Sequence, residues 1–204
     1  KHALFKTVIL RVANWFSIQF FCWMDGHVKS LKTLFFGPAE GFSGIDGDVR
    51  HLSLSANGRY AIVGASGGTN GLYLFDFDEP RGSRLVWTYG AGSYVGFWDV
   101  SISRNGDYII ANTWDNSTEN TILLYKKTVL WSLNEAEGSS NQVQISDDGN
   151  YILIGNSLFS KDSPTPIRSF DDEVSLSEGN LLLSDNGENI LARGSEGNLY
   201  FFDR

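Results

Sequence analysis

Short apolar runs alternate with polar, glycine-containing turns along most of the chain, and one such segment recurs four times. Each copy has an apolar run, a Ser-x-Asn/Asp-Gly turn and a second apolar run: SLSANGRYAIVG (53–64), SISRNGDYIIAN (101–112), QISDDGNYILIG (144–155) and LLSDNGENILAR (182–193). An Asn-Gly or Asp-Gly pair tolerates the positive φ of a tight turn, so each copy predicts a β-hairpin. The turn glycines are 48, 43 and 38 residues apart, a spacing typical of repeat architectures.

Two further apolar runs follow the hairpin in most copies. A third run contains aromatic residues, as LYLFDFD (72–78), ILLYKK (122–127) and LYFFDR (199–204), and a fourth follows as RLVWTY (84–89), TVLWSL (128–133) and PIRSF (166–170). Four short antiparallel strands in every 40–45 residues or so are the sequence cue for a β-propeller blade. Since a lone blade leaves two apolar faces uncovered, blades stack, and we expect these residues to lie between neighbouring blades: Ile102, Ile109, Ile110, Leu123 and Trp131.

The predicted fold is therefore all-β, a propeller of four-stranded antiparallel blades with about four recognisable repeats. The repeats span residues 48–90, 95–133, 141–170 and 172–204. The last repeat reaches only its third strand. Either the sequence is a piece of a larger propeller, or an N-terminal strand closes the last blade, for which 31–36 is the candidate.

Residues 1–30 form an aromatic and basic leader outside the clear repeats. The apolar stretch 4–24 is split by Arg11, and its uncharged part is shorter than the roughly 20 residues that a spanning helix needs. Strands or a segment packed on the body are favoured, and membrane association through 4–24 is the less favoured alternative. Residues 1–36 carry a net charge of +4 and 37–204 a net charge of −12, so the acidic body argues against nucleic-acid binding.

The repeated Ser-x-Asn/Asp-Gly-x-Tyr-Ile segment, followed by LYLFD and LxWSY, resembles the WD-repeat and quinoprotein-like (PQQ-like) propeller superfamily over about 48–204. The resemblance implies the propeller fold, which hosts scaffolds, binding proteins and a minority of enzymes. Two subfamily features differ. The pairs Trp98-Asp99 and Trp114-Asp115 stand before a first strand and after a second strand, unlike the Trp-Asp of a WD repeat. The tryptophan-docking pattern of quinoprotein dehydrogenases is missing, so no quinone cofactor is expected.

The sequence offers little for catalysis, and we expect no catalytic residue, no metal site and no cofactor. The three histidines are scattered, there is no Gly-x-Ser-x-Gly elbow, and a single cysteine cannot complete a zinc site. The segments Asp147-Asp148-Gly149 and Asp185-Asn186-Gly187 coincide with the repeated turn, so we interpret them as Asx turns rather than calcium loops. Asp76 and Asp78 follow a third strand and are interpreted as turn formers as well.

The candidate binding site lies in the segments that join the blades. In propellers of this kind, the loops before the first strand and between the second and third strands emerge on one face around the central channel. These loops are predicted to hold Asp46, Asp48, Trp98, Asp99, Trp114, Asp115, Asp171, Asp172 and Glu173. An aromatic and acidic rim suits a cationic group, such as a Lys/Arg-bearing peptide, an amine or a metal ion. The competing interpretation is a set of solvated acids with two tryptophans that pack locally.

The favoured function is a non-catalytic β-propeller module for protein–protein interaction or surface scaffolding, with a protein partner that carries a cationic segment. Two alternatives stay open. One is a carbohydrate- or small-molecule-binding propeller that uses Trp98 and Trp114; the other is a propeller hydrolase or quinoprotein-like enzyme with channel acids. The single cysteine leaves the compartment open, and an exported or cell-surface prokaryotic location is favoured over a cytoplasmic one. The sequence does not define the oligomeric state.

Overall fold

A computed structural model gives the fold, in which every element within the described residues is a β-strand. The chain forms two compact units, Lys1–Ser43 and Gly44–Arg204. For residues 4–36, 114–115, 118–120, 135 and 176–180 only the backbone is described. The described residues are 4–12, 15–24, 27–36, 45–68, 71–90, 96–115, 118–135, 142–170, 176–194 and 196–204. Over these ranges, no helix has the length and apolar character to cross a membrane.

The first unit is a three-stranded antiparallel sheet. Its strands pair in chain order and are β1 (Leu4–Val12), β2 (Trp15–Met24) and β3 (His27–Phe36). The leader is thus built of strands, one of the alternatives that its sequence left open. The segment 31–36 lies within β3, whose described partner is β2, and its role as a closing strand of the last blade stays a prediction.

The second unit consists of four antiparallel sheets, which we call the first to fourth blades. The first contains β4 (Asp48–Leu54), β5 (Tyr60–Ser66), β6 (Leu72–Asp76) and β7 (Leu85–Tyr89). The second contains β8 (Gly96–Ile102), β9 (Tyr108–Asp115), β10 (Thr118–Tyr125) and β11 (Thr128–Glu135). The third contains β12 (Val143–Ile145), β13 (Tyr151–Ile154), β14 (Ser157–Ser160) and β15 (Pro166–Ser169), and the fourth contains β16 (Leu176–Leu183), β17 (Asn189–Gly194) and β18 (Leu199–Asp203). Neighbours in sequence pair within each blade, so the predicted antiparallel blades are confirmed.

A hydrogen-bonded turn explains why one sequence recurs at the first hairpin of each blade. In the third blade the Ser146 hydroxyl donates to the Asp148 carboxylate at 2.7 Å and accepts the Tyr151 N–H at 3.0 Å. Asp148 also accepts the Asn150 N–H at 2.9 Å, and Gly149 completes the turn at φ 76°, where a side chain is strained. The same Ser, Asx and Gly arrangement recurs in the other three blades. The Asx-turn interpretation is confirmed.

The apolar core lies between consecutive blades. Ile102 and Ile109 belong to the cluster that joins the first and second blades, whereas Ile110 and Leu123 belong to the cluster that joins the second and third. Adjacent residues of a strand point to opposite faces, which is why Ile109 and Ile110 serve different junctions. Trp131 packs against the second of these clusters. The predicted positions of all five residues between blades are confirmed.

Two further contacts repeat at the junctions. The tyrosine that opens the second strand of one blade lies against the turn glycine of the next, as Tyr60 on Gly106, Tyr108 on Gly149 and Tyr151 on Gly187. Backbone bonds also join successive turns, because the Arg104 N–H donates to the Asp147 carbonyl at 2.9 Å and the Asp147 N–H to the Asp185 carbonyl at 2.7 Å. Each blade is therefore positioned on the next by the same hairpin that begins it.

An ion pair between Arg59 and Asp76 links a turn of the first blade to the end of β6. Asp76 is 5% exposed and accepts hydrogen bonds from Arg59 Nε at 2.9 Å and Nη2 at 2.7 Å. It also accepts the Asp78 N–H at 3.0 Å, as a turn former should. The hydrogen bond from Arg59 lowers the pKa of the Asp76 carboxyl below its ordinary value of 3.8.

We expect Asp76→Asn to reduce the acid sensitivity of the fold. Because the pKa of Asp76 is lower in the fold than in the unfolded chain, its carboxylate stabilises the fold above the ordinary pKa, and this contribution disappears as pH falls through the lowered value. Urea unfolding between about pH 6 and about pH 2 should show a shallower loss of stability for the variant. Asp203→Asn, at the equivalent but exposed end of β18, is the control; an equal flattening there would contradict the role of the pair.

Candidate functional site

The candidate face is built on the first strands of consecutive blades. β4 contacts β8, β8 contacts β12, and β12 contacts β16, so these strands lie side by side. In a propeller the first strand of each blade lines the axis. Residues at the start of these strands therefore come together from three separate parts of the sequence.

Bulges in β4 and β8 aim two side chains away from the sheets. The pairing of β4 with β5 skips Arg50, and the pairing of β8 with β9 skips Trp98. A bulge leaves one residue without a cross-strand partner and reorients it. Arg50 and Trp98 occupy the same position of two successive blades, and the Arg50 guanidinium lies 5.0 Å from the centroid of the Trp98 ring system.

Arg50 is held in place by two neighbours besides Trp98. Its Nε donates to the Ser66 hydroxyl at 2.8 Å, and its Nη2 lies 3.7 Å from the Asp48 carboxylate. Trp98 is 48% exposed. The π-face of an indole attracts cations, and here the chain supplies one of its own. The result is a surface on which the Arg50 guanidinium lies between the Trp98 ring and the Asp48 carboxylate.

Asp46 is fixed next to this cluster through its backbone. Its N–H donates to the buried Tyr73 hydroxyl at 2.8 Å, and its carbonyl accepts from the same hydroxyl at 3.0 Å. Gly68 approaches the Asp46 backbone so closely that a Cβ there would collide with it. Asp46 and Asp48 are both exposed, and the Asp48 carboxylate is the one that lies against Arg50.

Asp99 connects the first strands of three blades. Its Oδ1 lies 2.7 Å from His51 Nδ1 of the first blade, and its Oδ2 accepts the Val143 N–H of the third blade at 2.9 Å. The Val100 N–H also donates to Oδ1 at 2.9 Å. Burial raises the pKa of the Asp99 carboxyl, although the Val143 N–H, His51 and the Val100 N–H favour its ionised form. Asp99 thus acts mainly as a bridge between blades, and the half-exposed His51 side chain is the part of the pair that solvent reaches.

The structure corrects the prediction that these residues lie in loops. Asp48, Trp98 and Asp99 belong to strands, because the bulges let β4 and β8 continue to the end of the sheet. Trp114 and Asp115 also belong to a strand, because β9 pairs with β10 up to Asp115 and Thr118. The Trp114 backbone pairs with Gly96, at the same end of the second blade as Trp98. The side chains of Trp114 and Asp115, like all of Asp171, Asp172 and Glu173, lie outside the described residues.

Sequence reasoning missed Arg50 and His51. The sequence contained a signal for this pair, because the repeat aligns DVRHLSL (48–54) with GFWDVSI (96–102). In this alignment Arg50 corresponds to Trp98 and His51 to Asp99. Recognising it requires the idea that equivalent positions of adjacent blades become neighbours. Among the residues whose side chains are described, no cluster of three His, Cys, Asp or Glu offers a metal site.

The fold defines the class of protein as a β-propeller, and solved structures agree. One similar chain is the Dos1 propeller, with a TM-score of 0.54 and 14% identity over 98% of this chain and 54% of that chain. Another is hydrazine synthase of Kuenenia stuttgartiensis, with a TM-score of 0.51 and 14% identity over 93% of this chain and 61% of that chain. A functionally unknown protein of Desulfotomaculum acetoxidans is also similar, with a TM-score of 0.57 and 16% identity over 92% of this chain and 58% of that chain. This chain thus spans between 54% and 61% of the length of these chains. No protein-family model and no curated protein matches the sequence.

Proposed function

We propose that this propeller is a non-catalytic module that binds a protein partner through the surface formed by Asp46, Asp48, Arg50, His51, Trp98 and Asp99, the Trp98 face. The observation that carries the proposal is the half-exposed indole that a bulge presents beside a guanidinium and carboxylates. Exposed Trp and Arg side chains are typical anchors of protein interfaces, because Trp buries a large area with only two rotatable bonds and Arg donates several hydrogen bonds.

The chemistry of the face favours a partner segment that carries Lys or Arg. Residues 37–204 have a net charge of −12, which attracts such a segment over a distance, and the exposed Asp46 and Asp48 carboxylates can receive it. Arg50 covers one side of the Trp98 indole, so the incoming cation stacks on the other side or replaces Arg50. Electrostatic attraction of this kind acts chiefly on the association rate.

We expect Asp46→Asn combined with Asp48→Asn to slow association with Lys/Arg-bearing peptides by about tenfold at low salt, because two steering charges are lost. Trp98→Ala should instead raise the dissociation rate, as the loss of an aromatic anchor does. Surface plasmon resonance with a panel of basic peptides, at about 20 mM and about 500 mM salt, measures both rates.

The matched control is Asp185→Asn combined with Asp203→Asn, which removes two exposed charges on the fourth blade. If the control slows association as much as the pair at Asp46 and Asp48, the attraction is a property of the net charge rather than of this face. Binding of glycans that depends on Trp98 but not on salt would replace this proposal with the carbohydrate-binding alternative, which the half-exposed indole also favours.

We also propose membership of the WD-repeat and quinoprotein-like propeller superfamily. The proposal is supported by the Ser-x-Asx-Gly turn, whose hydroxyl and Asx side chain make the same hydrogen bonds in every blade. A tryptophan in the fourth strand that packs against the next blade, as Trp131 of β11 does, is a second supporting feature.

A further inference from the structure

His51 gives the Trp98 face a group whose charge changes near neutral pH. Imidazole side chains gain or lose their charge between about pH 5 and about pH 8, whereas carboxylates ordinarily titrate lower and guanidinium groups higher. The His51 side chain is 48% exposed, and its Nδ1 lies 2.7 Å from Oδ1 of Asp99, whose side chain is 16% exposed. The fold therefore holds one nitrogen of the imidazole, while about half of the side chain remains open to solvent.

The hydrogen bonds of Asp99 decide which nitrogen of the neutral imidazole carries the proton. Oδ2 accepts the Val143 N–H at 2.9 Å, and Oδ1 accepts the Val100 N–H at 2.9 Å, so donors surround this carboxylate. The Val100 nitrogen is 3.4 Å from His51 Nδ1, farther than it is from Oδ1. The carboxylate is thus the acceptor in the 2.7 Å contact, and the proton of that contact lies on Nδ1. Nε2 of the neutral ring then carries a lone pair.

Nε2 is the atom through which His51 can contact a partner. Among the described residues, the polar contacts of the His51 ring are made by Nδ1. A neutral Nε2 accepts a hydrogen bond from a Lys or Arg side chain. A protonated Nε2 is a donor instead, and the ring then carries a positive charge that repels the same side chain. Protonation therefore replaces an attractive contact with a repulsive one.

We propose that the His51–Asp99 pair makes partner binding at the Trp98 face pH-dependent, stronger when the imidazole is neutral and weaker when it is protonated. Asp99 acts as the positioning residue, because it fixes the ring and the tautomer that leaves Nε2 as an acceptor. This inference rests on the proposed function, since it describes how binding of a Lys- or Arg-bearing segment at the same face is regulated.

The other charged groups of the face make the effect of one added charge large. Besides His51 they are Asp46, Asp48, Arg50 and Asp99. Three carboxylates against one guanidinium give a net charge of −2 with a neutral His51 and −1 with a protonated one. β5, which also packs on β4, has Tyr60 as its titratable residue, and a phenol is neutral in this pH range, whereas β12 has none. Burial raises the pKa of the Asp99 carboxyl, and a His51 variant that keeps Asp99 separates the two titrations.

Surface plasmon resonance with an acetylated and amidated peptide of Lys, Arg and neutral residues tests the proposal. Such a peptide keeps its charge between about pH 5.5 and about pH 7.5. For the wild type at about 20 mM salt, we expect the dissociation constant to rise about tenfold as pH falls over this interval. His51→Gln should give the same dissociation constant at both pH values, because its amide does not titrate. His51→Lys should bind at about pH 7.5 as weakly as the wild type binds at about pH 5.5, because its charge is permanent in this range.

The matched control is His2→Gln combined with His27→Gln, which removes the two other histidines of the sequence. This variant should keep the full pH dependence. Circular dichroism at both pH values checks that each protein is folded. A second readout needs no partner, because ¹⁵N NMR of the histidine rings shows which nitrogen is protonated. At about pH 8, we expect the proton of His51 on Nδ1 and none on Nε2.

Four outcomes would overturn the inference. The first is wild-type binding that does not change with pH, and the second is an equal pH dependence in His51→Gln, which would assign it to another group such as Asp99. The third is a neutral His51 with its proton on Nε2. These three leave the proposed function in place. The fourth is the absence of binding to any basic peptide at about pH 7.5, which removes the proposed function together with its regulation.

Discussion

Gly149→Ala should lower the free energy of unfolding by about 2–5 kcal/mol, from two separate causes. The glycine has φ 76°, and a residue with a Cβ costs about 1–2 kcal/mol in that region. Its new Cβ would also fall against the Tyr108 ring of the preceding blade, and displacing a packed aromatic side chain costs about 1–3 kcal/mol more. Urea unfolding followed by circular dichroism measures the sum.

Gly58→Ala separates the two causes. Its φ of 73° is nearly the same, but nothing lies within 4 Å of its Cβ position, so we expect only the backbone cost of about 1–2 kcal/mol. Gly106→Ala and Gly187→Ala, whose Cβ atoms meet Tyr60 and Tyr151, should resemble Gly149→Ala. Equal losses at Gly58 and Gly149 would mean that the Tyr108 ring moves aside freely and that the junction is not tightly packed.

The sequence predicted the repeated hairpins because their information is local. The Ser-x-Asx-Gly turn forms its hydrogen bonds within five residues, as Ser146, Asp148 and Tyr151 show, so its pattern is visible without knowledge of the fold. The alternation of apolar residues likewise places Ile109 and Ile110 on opposite faces of β9 before any blade is seen. Once blades are assumed to stack, the inter-blade core follows.

The candidate site was predicted only in part because its geometry depends on bulges and on contacts between blades. A bulge breaks the two-residue period, so the sequence pattern predicts a loop at Trp98 and Asp99 although β8 includes them. Arg50 meets Trp98, and His51 meets Asp99, 48 residues further along the chain. Such pairs are set by the register of adjacent blades, which the pattern of one blade does not contain.

The same distinction applies to charged residues away from the site. Asp76 was interpreted as a turn former, and the Asp78 N–H bond is local enough to predict. Its two hydrogen bonds from Arg59 cross from one hairpin to the end of β6, 17 residues apart. Only the antiparallel pairing of Tyr60 with Asp76 brings the two side chains together. The sequence thus shows which residues are charged, whereas the partner of each charged residue depends on the register between strands.

Trp131→Ala should destabilise the fold by about 3–5 kcal/mol, the usual cost of truncating a large aromatic residue packed in a core. The indole packs against the cluster between the second and third blades, 6.3 Å from Phe159 between ring centroids. Its Nε1–H donates to the Lys161 carbonyl at 2.9 Å, a bond that joins the two blades.

Two variants divide this loss into its parts. Trp131→Phe keeps much of the packing and removes the hydrogen bond to Lys161, so we expect it to cost only about 1–2 kcal/mol. Trp98→Ala removes an indole that is 48% exposed and should cost less than about 1.5 kcal/mol, because about half of its surface already faces water in the folded protein. Chemical unfolding of the three variants gives the comparison directly. If Trp98→Ala costs as much as Trp131→Ala, Trp98 supports the fold rather than a binding surface, and a partner must then be sought on another face.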